Sequence, residues 1–421
     1  MPLPAAFRHL TSLAKMGRAL APNAKTPMNM GAALGLPIGI DFGTGSMKVL
    51  QVNPGEPPTL VTAAAIETPE DIIADPLKRL EFQVAALPGL VKEAGFKGKR
   101  AVCAIPAWAT VCKHMQLSRA DGATIDTLVA QQIPLQMSCD PSQIVYRFLE
   151  VTPPTAAKPE VIVMAVSREL VTQFMGAIRA CKLDPVGMHS EFAAALHAFD
   201  YIHKRDGDVL VNTLYLDIGQ GTTGVAISHG KQLAFARVID LGGASLDAQL
   251  AGQLGCTAKE ARTRRWELND GVAPAAMTMA AKSDPRSMSD IDALIDRRRA
   301  GVMPGLSAGV LSQEPVSLCP EAGDLSESMD ILSDEVRMCL RFHAGQFPDK
   351  KVERVVFIGG ESRHRGLCQH IAKSLKLPAH MADPLARIAR TGKEPLLGVD
   401  ITRPQPGWVV AMGLCLAPTD L

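Results

Sequence analysis

The sequence predicts an α/β protein made of two matching halves that face each other across a cleft. Residues 41–49 read DFGTGSMKV and residues 217–225 read DIGQGTTGV, so both fit D-x-G-x-G-[S/T]-x-x-V. Each copy follows a short apolar run, Pro37 to Ile40 and Thr213 to Leu216, that reads as a strand entering a tight hairpin. Glycines in such a turn permit positive φ and let backbone N–H groups approach an anion. Length agrees, because 421 residues are too many for a single core.

Along the chain, residues 1–37 form a leader with Arg8, Lys15, Arg18 and Lys25 and with no acidic residue before Asp41. Phe7, Leu10, Ala14 and Leu20 share one face of a helix over 7–20, which fits a membrane-surface or partner-docking helix; a mobile tail fits equally. The first half is expected over 38–205: hairpin, strand, a helix from Leu80 to Ala94, then a strand ending at Ile105-Pro106. Within it, strand-like and helical stretches at 108–117, 123–132, 143–150, 160–166 and 168–181 spell β-α-β-β-α, a small α+β subdomain inserted at about 107–183. Residues 206–407 restart the pattern as the second half, with an irregular, charge-clustered insertion at about 260–325. A helix over 326–344 precedes a buried strand, Val355 to Ile358, that ends in Gly359-Gly360. The apolar stretch in 408–421 is expected to pack back on the first half.

Bulk properties exclude several classes. Lysine plus arginine (44) nearly balance aspartate plus glutamate (43), which removes any bulk electrostatic reason for a nucleic-acid partner. Nine scattered cysteines without a C-x-x-C fit free thiols better than a disulfide framework or zinc site. The longest apolar run, near Val409–Ala417, is about half of the ~20 residues a membrane span needs. The apolar positions of the leader are interrupted by charge, unlike a signal peptide. The expected location is cytoplasmic.

A nucleoside triphosphate with Mg²⁺ needs dense N–H donors, hydroxyls, a cation, and carboxylates to hold the metal's water shell. The first turn offers Gly43, Thr44, Gly45, Ser46 and Lys48; the second offers Gly219, Gln220, Gly221, Thr222 and Thr223. Asp41 and Asp217 are then expected to face each other across the metal, holding it through water. Gly219, Gly221 and Gly224 also spell G-x-G-x-x-G, with Asp240 near the distance of a ribose-binding acid. That dinucleotide motif demands a helix straight after the glycines, whereas Val225–Ser228, a His229-Gly230 turn and Gln232–Ile239 read as another hairpin. There is no G-x-x-x-x-G-K-[S/T]. A small-molecule kinase would need a further Asp base in the cleft, for which Asp240 and Asp247 are loose candidates.

These residues resemble the actin, Hsp70 and sugar-kinase superfamily of ATPases, whose two phosphate motifs match 41–48 and 217–224. The resemblance implies an actin-like ATPase fold, two RNase H-like domains flanking a nucleotide cleft, and ATP or ADP with Mg²⁺ as cofactors. Glu191 in SEFAAALHA is similar to a helix start whose Glu positions the attacking water, with Phe192 in place of the usual Pro. VVFIGGESRHRGL (355–367) is similar to the adenosine motif, placing Gly359, Gly360, Glu361 and Arg363 at the nucleoside; Glu361 and Arg363 stand where smaller residues are common. The helix over 332–343, with Glu335, Arg337 and Arg341, would lie beside the base. Catalytic roles are thereby implied for Glu191, Asp41 and Asp217.

Within the superfamily the chain resembles the PilM family of type IV pilus assembly, and next the cell-division protein FtsA. The PilM features are Lys48 followed by Val-Leu-Gln-Val, the subdomain at 107–183 with Gln-x-Ile-Pro, DEVRMCLRFH (334–343) and the closing VVAMGLCLA (409–417). This resemblance implies a cytoplasmic scaffold, peripheral at the inner membrane, with at most slow ATPase activity. It also implies capture of the short tail of a PilN-like inner-membrane protein near Gln132, Ile133 and 143–150. An FtsA-like cytoskeletal protein is the alternative, although this sequence ends in Ala-Pro-Thr-Asp-Leu rather than in an amphipathic helix.

Overall fold

A computed structural model describes residues 36–118, 123–152, 158–202, 211–271 and 323–419. The leader helix expected over 7–20 and most of the expected 260–325 insertion lie outside the described residues.

The first half opens with β1 (Ile38–Phe42), β2 (Ser46–Asn53) and β3 (Thr59–Glu67), followed by α1 (Pro76–Ala94) and β4 (Arg100–Ile105). Asp75 caps α1 by accepting from the N–H groups of Leu77 and Lys78, and Gly95 ends it in the left-handed conformation. The inserted segment then runs β5 (Val111–Gln116), α2 (Ile125–Met137), β6 (Ile144–Glu150), β7 (Glu160–Ser167) and α3 (Arg168–Ala180). The chain returns through β8 (Asp184–Ser190) into α4 (Glu191–Ile202). The second half has β9 (Asn212–Ile218), β10 (Thr223–His229), β11 (Gln232–Ile239), α5 (Gly243–Leu254), α6 (Ala258–Gly271), α7 (Ser326–Gln346), β12 (Arg354–Ile358), α8 (Arg365–Leu375) and β13 (Ala379–Met381). Finally β14 (Leu396–Leu397) and α9 (Val409–Leu416) rejoin the first half.

The duplication seen in the motif extends to topology. The first sheet is ordered β14-β3-β2-β1-β4-β8 and the second β11-β10-β9-β12-β13. In both, the central strand (β1 or β9) pairs antiparallel with its hairpin partner and parallel with the next strand out. All of β1 is buried, as a strand covered on both faces must be, and it reads as a near-continuous apolar run. Asp41 and Asp217 stand near the carboxyl ends of these central strands, where open α/β sheets bind ligands.

The inserted segment forms its own sheet, β5-β7-β6, around a small core of Met115, Val129, Ile133, Met137, Ile144, Val161 and Val163. Its α3 faces elsewhere: Phe174 and Ile178 join the first half's core, with the Phe174 ring 4.7 Å from that of Phe42. β5 also touches β11, where Cys112 Sγ donates to the Ala236 carbonyl at 3.2 Å. α9 is buried from Val409 to Cys415 against β1, β2, β4 and α4, which explains its apolar composition.

One expectation needs correction. Residues 258–271 are helical (α6), not irregular, and Arg265 within the basic cluster is fully buried. Clustered arginines read as a solvated stretch, but here Arg265 is drawn inward by two buried carboxylates.

Candidate functional site

The two glycine turns meet. A Cβ built on Gly45 would lie 3.3 Å from Gln220 Cβ, and one on Gly221 would lie 3.1 Å from Thr44 Cγ2. The first turn is braced from behind, because Gln83 Nε2 on α1 donates to the Gly43 carbonyl at 2.7 Å and the Thr68 N–H donates to that of Gly45 at 3.0 Å. In the second, the Gly219 N–H donates to the Thr222 carbonyl at 2.9 Å, and the first turn of α5 donates back through Gly243 N–H to Gly219 and Ala244 N–H to Gln220. Between them lies one cleft of about 280 Å³.

Lined up in this cleft are Asp41, Gly43, Thr44, Gly45, Ser46, Lys48, Glu191, Asp217, Gly219, Gln220, Thr222, Gly359, Gly360, Glu361 and Arg363. Three expected residues are not among the lining. Gly221 packs on Thr44, and Thr223 turns its hydroxyl to the Leu241 carbonyl at 2.7 Å. Glu335 leaves the cleft altogether, pairing with Arg237 of β11 at 2.9 Å. The helix motif placed it beside a base, but the turn of α7 points it along the sheet edge.

Asp41 and Lys48 are register partners across the β1–β2 hairpin, which sets Lys48 Nζ 3.7 Å from Asp41 Oδ2. Asp217, near the end of β9, and Glu191, which opens α4, are half-buried in the same field. Burial lifts the Asp217 pKa, the negative charge of Asp41 lifts it further, and Lys48 opposes only in part, leaving it at about 7. The Glu191 carboxyl is pushed well above its ordinary value by burial first, then by Asp217 and Asp41. Burial also raises Asp41, against the pull of Lys48. One buried carboxyl group (Asp41) and two half-buried ones (Asp217, Glu191) therefore share one lysine. Such a cluster holds surplus negative charge that a cation would neutralise.

A second buried network ties the second turn to the Gly359-Gly360 strand end. Fully buried Arg265 donates from Nε to Asp247 Oδ1 at 2.7 Å and from Nη1 to Glu361 Oε2 at 2.7 Å, and Gln220 Nε2 donates to Asp247 Oδ2 at 3.0 Å. Asp247 thus has both oxygens occupied and lies outside the cleft lining, while Asp240 is exposed. Neither supplies a cleft-facing base. Glu361 and Arg363 both line the cleft, but Glu361 is buried and braces Arg265, whereas Arg363 is exposed.

Gly359 has a tight role. Its φ is +88°, and a Cβ there would sit 2.4 Å from Asp217 Oδ1 and 2.4 Å from the Ile218 carbonyl. Gly359→Ala should destabilise the protein by about 2–4 kcal/mol through combined backbone strain and displacement of Asp217. Urea unfolding checks this; a midpoint equal to wild type contradicts the packing described.

Motif reading missed several lining residues: Arg262, Trp266, Trp108, Asp400, Gln405 and Trp408. The chain has only three tryptophans, and all three line this cleft. That scarcity was a usable signal, since large aromatic rings are kept where a ligand or core needs them. Arg262 also bridges the two walls, pairing with Glu70 of the first half at 3.0 Å.

The family model described as type IV pilus assembly protein PilM matches residues 39–270, more than half of the chain. Among solved structures, a PilM-PilN type IV pilus biogenesis complex is similar at 20% identity and TM-score 0.64, covering 90% of this chain and 97% of that one. Two others are the ethanolamine utilization protein EutJ of Carboxydothermus hydrogenoformans (13% identity, TM-score 0.43, 90% and 89% covered) and MreB 5 of Spiroplasma citri bound to AMPPNP (13%, 0.43, 90% and 95%). No curated protein matches the sequence significantly. The fold is the actin-like α/β fold that the duplicated motif implied, and the chain belongs to the PilM family of type IV pilus assembly proteins.

Proposed function

We propose that this protein binds a nucleoside triphosphate with Mg²⁺ between its halves and serves as a docking scaffold for a PilN-like tail at the cytoplasmic face of the inner membrane. The observation that carries the nucleotide reading is the convergence of Asp41, Asp217 and Glu191, with one lysine, on two touching glycine turns. The donor set fits. Among the described residues no three acidic, histidine or cysteine side chains could hold a metal ion directly, so a divalent ion between Asp41 and Asp217 would keep part of its water shell, as Mg²⁺ prefers. The bound ion would neutralise phosphate charge. Lys48 and the N–H groups of the two turns would hold the phosphate oxygens. Glu191 is set to orient a water, but burial and the neighbouring Asp217 and Asp41 push its carboxyl well above the ordinary range, which weakens it as a base and supports at most slow hydrolysis.

Partner docking is supported by the similar PilM-PilN complex and by the shape of the inserted sheet. β6 is one of its two edge strands, the other being β5, which touches β11, so an extended peptide could add to the β6 edge through backbone hydrogen bonds. Leu149 on β6 (44% exposed) and Leu135 on α2 (75% exposed) offer apolar contacts. Ile133, near which the groove was expected, is buried in the subdomain core, whereas Leu135, half a turn on, is exposed. Among the described residues no helix is long and apolar enough to cross a membrane.

Because every tryptophan lines the cleft, Mg·ATP should change intrinsic fluorescence with saturable dependence, and calorimetry should give the same affinity. A PilN-type tail peptide should bind with a Kd that differs between the nucleotide-free and Mg·ATP forms. Absence of nucleotide binding by both methods discards the first half of the proposal. Absence of peptide binding in either state discards the second.

A further inference from the structure

Beyond the phosphate-holding turns, the cleft has a second end built from α6 and the strand end at Gly359-Gly360. There Trp266 projects from α6 into the cleft lining, with the Arg265 guanidinium carbon 5.2 Å and the Arg363 guanidinium carbon 5.4 Å from its ring centroid. The His364 ring stands 5.8 Å away, and the fully buried Arg265 anchors the base of the stack through its ion pairs to Asp247 and Glu361. Arg363 is exposed and lines the cleft. The result is an aromatic ring with two guanidinium groups over it, buried Arg265 and exposed Arg363, in the same cleft as the phosphate turns.

Polar side chains at this end are already committed. Glu361 accepts from Arg265, Gln220 Nε2 donates to Asp247, and Arg262 pairs with Glu70. Gln405 donates its amide to the Asp400 carbonyl, and Asp400 Oδ1 accepts from Thr402 at 2.9 Å and 2.6 Å. Glu335 lies outside the cleft with Arg237. Gln220 Oε1 is buried without a partner among the described residues, but it faces Gly243 at the phosphate turn, where an added Cβ would lie 2.9 Å from it. Stacking surface is plentiful here, and most of the carboxylate and amide groups named above already hold a partner.

We propose that the Trp266 ring, together with the Arg363 guanidinium over it, forms the plate on which the base of the bound nucleotide stacks. Base identity is then sensed by stacking and not by hydrogen bonds to the purine edge, so adenine and guanine nucleotides bind with similar affinity. This rests on the nucleotide reading of the cleft and names how that site selects its ligand. The physics separates the alternatives widely. A site that hydrogen-bonds a substrate group rejects the analogue lacking it by about 10⁴-fold or more, whereas stacking accepts any base with a large π-face.

The test is calorimetric titration of the full chain with Mg·ATP, Mg·GTP, Mg·UTP and Mg·tripolyphosphate, for wild type, Trp266→Ala, Trp266→Phe and Arg363→Ala. The expected pattern is ATP and GTP within about threefold of each other and UTP weaker, since stacking follows ring area. Trp266→Ala should weaken ATP and GTP about ten- to a hundredfold while leaving tripolyphosphate unchanged, and Trp266→Phe should recover most of the loss. Arg363→Ala should fall between them. Unchanged ATP affinity in Trp266→Ala overturns the proposal, as does GTP binding more than about thirtyfold weaker than ATP. A parallel loss of tripolyphosphate in Trp266→Ala also overturns it, because the ring would then be supporting the phosphate turns. If wild type binds neither nucleotide nor tripolyphosphate, the cleft reading falls together with the plate; if tripolyphosphate binds and Trp266 has no effect, only the plate falls.

Discussion

Asp217→Asn should make the nucleotide-free protein more stable, by on the order of 2–4 kcal/mol above pH 7, while removing its stabilisation by Mg·ATP. Asp217 is half-buried in the field of Asp41 and Glu191, and Lys48 is the cation that opposes their mutual repulsion. An acid whose folded pKa is raised from 3.8 to about 7 binds its proton more tightly when folded than when unfolded. The penalty of keeping it ionised is therefore fully present above about pH 7 and is relieved as pH falls toward 3.8. Wild type and variant should thus differ most in alkaline buffer and converge near pH 4, in urea unfolding followed at each pH. Wild type should gain melting temperature with Mg·ATP and the variant should not. Equal stabilities across the whole range would show that the carboxylate is not strained, and the case for a cation site would go with it.

Gly413→Ala should cost about 3–5 kcal/mol, or prevent folding. Helix propensity alone predicts the opposite sign, since alanine in a helix interior is favoured over glycine by about 1 kcal/mol. Packing decides. α9 crosses α4 so closely that a Cβ on Gly413 would lie 1.6 Å from the Ala194 carbonyl oxygen, and on the other side a Cβ on Gly39 would lie 2.6 Å from the Ala411 carbonyl oxygen. Neither contact involves a flexible side-chain end that could swing aside, so the helix itself would have to move. α4 begins at Glu191 and β1 carries Asp41, so a displaced α9 would also disturb the cleft. Denaturant midpoints for Gly413→Ala, with Gly252→Ala on α5 as a control in open space, separate the two effects. A stabilised Gly413→Ala would refute the helix contact described here.

The comparison of Gly413 with Gly252 shows why sequence reading stops where it does. Both are glycines within helices, and nothing local distinguishes them; only the approach of Ala194 does. The same limit applied to Arg265. Its neighbours Arg262 and Arg264 made the stretch read as solvated, whereas two carboxylates from distant segments, Asp247 and Glu361, take it fully out of solvent. Glu335 and Ile133 were assigned by motif to a nucleotide and a peptide, and each faces another way because helix rotation is set by what the rest of the helix buries. Trp266 belongs to no motif at all.

Other features were legible without coordinates because their cause is local. A strand ending in Asp-x-Gly-x-Gly has few backbone options, so both turns, their hairpins and the β-α-β-β-α insertion follow from periodicity and glycine placement alone. Repetition of that pattern determined the doubled sheet topology. Tertiary structure alone decided how the halves meet: that Asp41, Asp217 and Glu191 share one lysine, that Arg265 knits the second turn to the Gly359 strand end, and that all three tryptophans face one space. Dihedral preference and hydrophobic period act over a few residues and are written in the chain. Charge burial and interlocking contact act between segments far apart in sequence, and they exist only once the chain is packed.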